Sequence, residues 1–149
     1  MNKEPFSVIK LDKTFGATVK DVKLSKVTEG EVKELYSLWL THALLIFPDQ
    51  HLSTKEQIEF AKLFGVMEFD LAPISNVRSD GSIRDPVDDD VVKSLRGNME
   101  WHHDSTYMPI QAKGSVFTAH TVPTDGGETG WADMTAAYEA LDSKMKDKI

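Results

Sequence analysis

The sequence predicts one mixed α+β domain in which β-structure dominates, and three observations carry that expectation. Period-two alternation of apolar and polar residues opens the chain and returns in its last third. Two capping-box helices stand between those stretches. The 149 residues, 40% hydrophobic and 28% charged, suffice for one core and are too few for two comfortable ones.

Taken in order, Phe6–Leu11 and Ala17–Val22 alternate well enough to be strands. Thr28-Glu29-Gly30-Glu31 is a capping box, in which hydroxyl and carboxylate satisfy each other's backbone amides. Val32, Leu35, Tyr36, Leu38 and Trp39 come next at helical spacing, so a helix runs from about 29 to 41. Ala43-Leu44-Leu45-Ile46-Phe47 is continuously apolar and stopped by Pro48-Asp49, which suits a buried strand. Ser53-Thr54-Lys55-Glu56 is a second capping box, with Ile58, Phe60, Ala61, Leu63 and Phe64 inside and Gly65 where a left-handed C-cap belongs. Trp39, Phe47, Phe60 and Phe64 have core spacing, and Met99, Met108 and Met134 are read as packing residues as well.

The stretch from Asn76 to Asn98 is different in kind. Arg78–Ser82 reads as a turn and Asp85–Asp90 as an exposed acidic loop; it lacks the spacing of a calcium loop, so no chemistry is assigned to it. Beyond it, Ser115–Val122 and Glu128–Ala132 read as a hairpin across Thr124-Asp125-Gly126-Gly127. An amphipathic helix then starts at Asp133 as N-cap and continues through Ala136, Ala137, Tyr138, Ala140, Leu141 and Met145.

Composition narrows the function. A net charge of −7 gives no basic footprint for nucleic acid or an anionic membrane, so neither is expected as a partner. With no cysteine, disulfides, thiolate metal sites and a cysteine nucleophile are excluded, and any metal must use histidine and carboxylate. Met1–Pro5 shows no apolar signal segment, and Ala43–Phe47 is too short to span a bilayer, so a cytoplasmic protein is expected. No glycine-rich nucleotide loop occurs, and neither Ser105 nor Thr106 sits in a nucleophile elbow.

The densest chemical cluster is Trp101-His102-His103-Asp104. In extended backbone, residues two apart share a face, so His102 and Asp104 can offer a nitrogen and an oxygen to one ion while His103 points away. Such a pair is two thirds of the 2-His-1-carboxylate triad of non-haem Fe(II), although a surface or hydrogen-bonded histidine is the plainer explanation of the tripeptide alone. Trp101 adds an apolar wall. His42, His51 and His120 have no comparable context, and His120 is taken as an ordinary strand histidine.

Three further pieces occur in order with this one: Phe47-Pro48-Asp49-Gln50, the Glu56–Gly65 helix, and Pro123–Trp131 running into Ala136–Leu141. Together they make the chain resemble the N-terminal part of the taurine dioxygenase and 2,4-dichlorophenoxyacetate dioxygenase family of Fe(II)/2-oxoglutarate-dependent oxygenases. The resemblance implies that residues 1–149 form part of one double-stranded β-helix, or jelly-roll, with flanking N-terminal helices. It implies His102 and Asp104 as the first two iron ligands and Thr129 as a hydroxyl contact to 2-oxoglutarate. Asn98 falls at a position that faces substrate in some members. The implied reaction hydroxylates an unactivated C–H bond of a small organic substrate, using dioxygen and decarboxylating 2-oxoglutarate to succinate.

Two departures qualify this. Where taurine-acting members place a histidine that helps bind the sulfonate, this chain has Asp70, whose carboxylate repels an anion, so taurine is disfavoured. The family's distal histidine ligand and the arginine that clamps 2-oxoglutarate lie in a C-terminal half that these residues do not contain, so the chain alone is expected to be inactive. The alternative is a non-catalytic metal-binding or interaction fragment that keeps the scaffold, with an uncovered apolar face favouring homo-oligomers.

Overall fold

The computed structural model describes residues 6–69 and 71–149. Met1–Pro5 and Asp70 lie outside the described residues, and with them the sequence-based readings of that N-terminus and of Asp70. The described chain is mixed α/β with one small sheet and forms two compact units. One is built from the chain up to Gly65 together with Phe117–Ile149, the other from Val66–Val116.

The first unit begins with the alternating segments. β1 (Ser7–Lys10) pairs antiparallel with β2 (Ala17–Lys20), setting Val8 opposite Val19 and Ile9 opposite Thr18. β3 (Leu45–Ile46) adds to β2 in parallel, which requires a crossover, and α1 (Glu29–His42) supplies it. The sequence predicts a buried β3. It is a two-residue edge strand instead, with Ile46 41% exposed, because no described strand covers its outer side.

Both capping boxes form. At α1, Thr28 Oγ1 accepts from the Glu31 amide and Glu31 Oε2 accepts from the Thr28 amide. At α2 (Thr54–Lys62), Ser53 and Glu56 do the same. Replacing Ser53 with alanine removes the acceptor of the Glu56 amide and is expected to cost about 1 kcal/mol, read as a lower urea midpoint. Gly65 is not the expected C-cap: Leu63 caps α2 in right-handed backbone, and Gly65 comes two residues later at φ 151°, a conformation that favours glycine.

The core of this unit is small and aromatic. Phe6, Ala17, Val19, Leu24, Leu35, Leu52 and Phe60 are its buried apolar residues. Phe60 meets Phe64 edge-on at 5.2 Å and Phe47 at 6.4 Å, while Trp39 and Tyr36 close around Phe64. Gln50 clamps the chain before α1: its Oε1 accepts from the Leu24 amide, and its Nε2 donates to the carbonyls of Val22 and Pro48. That triple contact gives the Pro48-Asp49-Gln50 motif a structural purpose.

Two elements near the C-terminus depart from expectation. The Ser115–Val122 and Glu128–Ala132 segments form no strands, although Gly126 and Gly127 both take positive φ (73° and 77°), as a tight turn requires. Alternation specifies which side chains would share a face, whereas a strand also needs a backbone partner, and neither segment finds one among the described residues. The single C-terminal helix is two: α4 (Met134–Glu139), capped by Asp133, and α5 (Ser143–Lys146), whose own cap is Asp142. The Asp142 side chain competes for the backbone amides that a continuous helix would use.

The second unit contains none of the buried apolar residues found among the described residues. Among the described residues its one helix is α3 (Asp90–Gly97), which the sequence does not predict. The acidic run is the exposed turn the sequence predicts, and it leads into the helix: Asp85 accepts from the Val87 and Asp88 amides, and Asp89 caps α3 through the Val91 amide. Arg78 Nη2 and Arg84 Nη1 also reach Asp89, at 2.8 and 3.3 Å. Burial pushes the Asp89 carboxyl up, but the Val91 amide and Arg84 outweigh it and hold the group below its ordinary range. Met99 and Met134, expected to pack, are exposed. Among the described residues no helix is long and apolar enough to cross a membrane.

Candidate metal centre

The His102–Asp104 segment lies in the second unit, five residues beyond the end of α3, in backbone that is turn and loop rather than the expected strand. The two side chains nevertheless converge. His102 Nε2 stands 3.1 Å from Asp104 Oδ1, and both groups are open to solvent, with side-chain exposures of 49% and 76%. His103 turns elsewhere, to the Asp104 carbonyl at 2.7 Å and the Gln111 side chain at 2.9 Å.

The other ring nitrogen decides what the pair can do. His102 Nδ1 lies 2.7 Å from the Glu100 carbonyl, which can only accept, so Nδ1 carries a hydrogen and Nε2 of the neutral ring is a lone pair. A lone pair facing a carboxylate oxygen at 3.1 Å is unfavourable unless a cation lies between them. A proton is one such cation: the Glu100 carbonyl, and then the Asp104 charge, hold the His102 pKa above its ordinary value against the opposing effect of desolvation. A divalent metal is the other. Two ligands in cis positions at about 2.1 Å from one ion stand about 3.0 Å apart, close to the observed separation. Among the described residues no group of three or more His, Asp or Glu converges, so the pair stands as two donors.

The loop is held by a residue to which the sequence assigns no role. Ser105 is buried, takes φ 61°, and donates from Oγ to Glu68 Oε2 at 3.3 Å; its carbonyl accepts from the Met108 amide. Left-handed backbone at a non-glycine residue costs roughly 1–2 kcal/mol, and nothing in the local sequence announces it. Asn98 is the C-cap of α3, four residues before His102. Trp101, expected to add an apolar wall, is 74% exposed. Thr129 belongs to the other unit, exposed in the irregular segment after the Gly126-Gly127 turn, and His120 is likewise exposed and outside any strand.

A mixed α/β chain bearing a histidine–carboxylate pair on a constrained loop defines a candidate metal-dependent protein. Residues 7–149 match the family model described as taurine catabolism dioxygenase TauD, TfdA family, and the chain belongs to that family. It is 55% identical over 145 residues to (S)-phenoxypropionate/alpha-ketoglutarate-dioxygenase of Sphingobium herbicidovorans, covering 97% of this chain and 50% of that protein. It is 34% identical to the alpha-ketoglutarate-dependent 2,4-dichlorophenoxyacetate dioxygenase of Cupriavidus pinatubonensis, covering 91% and 52%. Among solved structures, AAD-2 in complex with Mn(II) and N-oxalylglycine matches with a TM-score of 0.91 and 37% identity, over 97% of this chain and 52% of that one. The chain spans about half the length of the curated relatives it matches.

Proposed function

We propose that residues 1–149 are the N-terminal part of a single Fe(II)/2-oxoglutarate-dependent dioxygenase domain of jelly-roll architecture, acting in the cytoplasm on a small organic acid. The observation that carries this reading is the 3.1 Å approach of His102 Nε2 to Asp104 Oδ1 with Nδ1 already committed to Glu100. The (S)-phenoxypropionate named for relatives at 55% and 52% identity supplies the substrate class. Bound iron, with 2-oxoglutarate and dioxygen, supplies the oxidising power that hydroxylates a C–H bond and releases succinate.

In this reading the residues of the chain have limited tasks. His102 gives the ion a neutral nitrogen whose tautomer is fixed by the Glu100 carbonyl, and Asp104 gives it a charge-neutralising oxygen. Thr129 donates its hydroxyl to a carboxylate of 2-oxoglutarate. Asn98 faces the substrate, as the resemblance implies. Two protein ligands leave an ion largely hydrated, so the 149-residue chain incubated with Fe(II) and 2-oxoglutarate is expected to form no succinate. A polypeptide of the relatives' full length carrying these residues is expected to turn over (S)-phenoxypropionate. Clear succinate formation by the chain alone, or none by the longer polypeptide, contradicts this assignment.

The pair also sets a pH dependence. His102 keeps its proton to a higher pH than a free imidazole, ordinarily about 6.5, and that proton occupies the place of the ion. Mn(II) affinity is therefore expected to fall as pH drops through the raised histidine pKa and to level off above it. A titration series followed by Mn(II) electron paramagnetic resonance checks this; affinity unchanged between acid and alkaline pH speaks against His102 as a ligand.

One observation favours the second reading, an interaction fragment. Val66, Met99, Tyr107 and Ile110 are all highly exposed. Apolar surface of this kind drives association, so light scattering of the chain is expected to report species larger than a monomer.

A further inference from the structure

We infer that the Ser105–Glu68 contact is a positioning device for the His102–Asp104 pair, an inference that rests on the metal-binding reading above. Asp104 has no secondary structure to hold it. The next residue, Ser105, is the one buried residue of the second unit among the described residues, and its backbone is left-handed at φ 61°. That conformation reverses the chain immediately after the carboxylate, and the Met108 amide closes the turn onto the Ser105 carbonyl at 3.0 Å. The turn is tied to a distant part of the unit by Ser105 Oγ, which donates to Glu68 Oε2 at 3.3 Å across 37 residues of chain. Glu68 thus fixes the backbone from which Asp104 projects toward His102, and Thr106 Oγ1 adds a local bond back to the His103 carbonyl.

A non-glycine residue in this conformation persists only where its surroundings over-determine it, and such residues gather at functional sites. Here the strain and the buried hydroxyl occur in one residue directly beside a candidate ligand. Neither Ser105 nor Glu68 is a ligand of the ion; both act through Asp104.

Three variants separate the contact from folding. Ser105→Gly removes the hydroxyl while accepting the backbone angle freely. Glu68→Ala removes the acceptor, and Glu68→Gln keeps an acceptor oxygen. The test follows the His102 ring protons by nuclear magnetic resonance, first without metal and then during Mn(II) titration of the full 149-residue chain. Ser105→Gly and Glu68→Ala are expected to shift the metal-free His102 resonances and to raise the Mn(II) concentration that half-broadens them about 10-fold, as loss of outer-shell partners does elsewhere. Glu68→Gln should behave like the parent chain, and combining Ser105→Gly with Glu68→Ala should add nothing to either alone. Unchanged resonances and unchanged midpoints in the two disruptive variants overturn the inference, as does a Glu68→Gln variant as impaired as Glu68→Ala. If the parent chain itself shows no Mn(II) broadening, the metal reading fails. The metal-free shifts then decide the positioning role alone: shifted in both disruptive variants and restored by glutamine, it stands; unshifted, it falls.

Discussion

Replacing either His102 or Asp104 with alanine is expected to weaken Mn(II) binding by more than about 100-fold, beyond the 10–100-fold seen when an outer-shell partner is lost. The reason is arithmetic of donors. Among the described residues no third His, Asp or Glu joins these two side chains, so removing one leaves a single solvent-exposed donor. The double variant should bind no more weakly than either single one, because a lone donor on the surface holds no ion. His103→Ala is the control: it changes the neighbouring imidazole, which faces Gln111 and the Asp104 carbonyl, and should leave affinity close to that of the parent chain. Equal losses in all three variants would mean that the ion is held by loop charge and not by the pair. Titration of each purified variant with Mn(II) provides the comparison.

Phe60→Ala is expected to destabilise the chain by about 3–5 kcal/mol, the usual cost of truncating a buried aromatic residue. Phe60 is 5% exposed and is the member of the aromatic cluster that touches both Phe47, beyond β3, and Phe64, beyond α2. Its removal therefore loosens the packing of α2 against the strand region as well as opening a cavity. Against a total stability of about 5–15 kcal/mol for ordinary domains, such a loss leaves little, and urea unfolding followed by circular dichroism should show a much lower midpoint. Met99→Ala, at an 81% exposed site, should stay within about 0.5 kcal/mol of the parent. A Phe60→Ala cost as small as that would show that the cluster is not the core.

Local rules carried much of the fold up to Gly65. Thr28 with Glu31 and Ser53 with Glu56 are self-contained devices whose geometry is set within four residues, and both helices begin where those residues place them. β1 and β2 are joined by a short connection, so their alternation suffices to pair them. Beyond Gly65 the same rules still place the Arg78–Ser82 turn and the Asp133 cap of α4, and they mislead where the outcome depends on partners outside the segment. Period two in Ser115–Val122 describes a surface able to join a sheet and cannot supply the neighbouring strand. The Asp85–Asp90 run has the composition of solvated charge and is an exposed turn, but composition does not announce that Asp89, paired with Arg78 and Arg84, caps a helix in the segment after it.

The candidate site was legible for a related reason. Spacing two apart brings His102 and Asp104 to one side in extended backbone; the backbone here is irregular, but the side chains still meet at 3.1 Å. The sequence offers no sign of what achieves that in a loop: the Glu100 carbonyl that fixes the ring and the left-handed Ser105 tied to Glu68. Serine is an ordinary residue after an aspartate, and its backbone angle is a property of the folded chain alone. Thr129 owes its nomination entirely to family resemblance, as nothing local distinguishes it from any exposed threonine.

Anomalous diffraction from crystals of the chain grown with Mn(II) tests the shared ion most directly. A metal peak is expected between His102 Nε2 and Asp104 Oδ1, about 2.1 Å from each, with the Nδ1 bond to the Glu100 carbonyl intact. A metal peak elsewhere, or His102 and Asp104 bridged by a proton alone in crystals saturated with the ion, would contradict the shared-ion assignment.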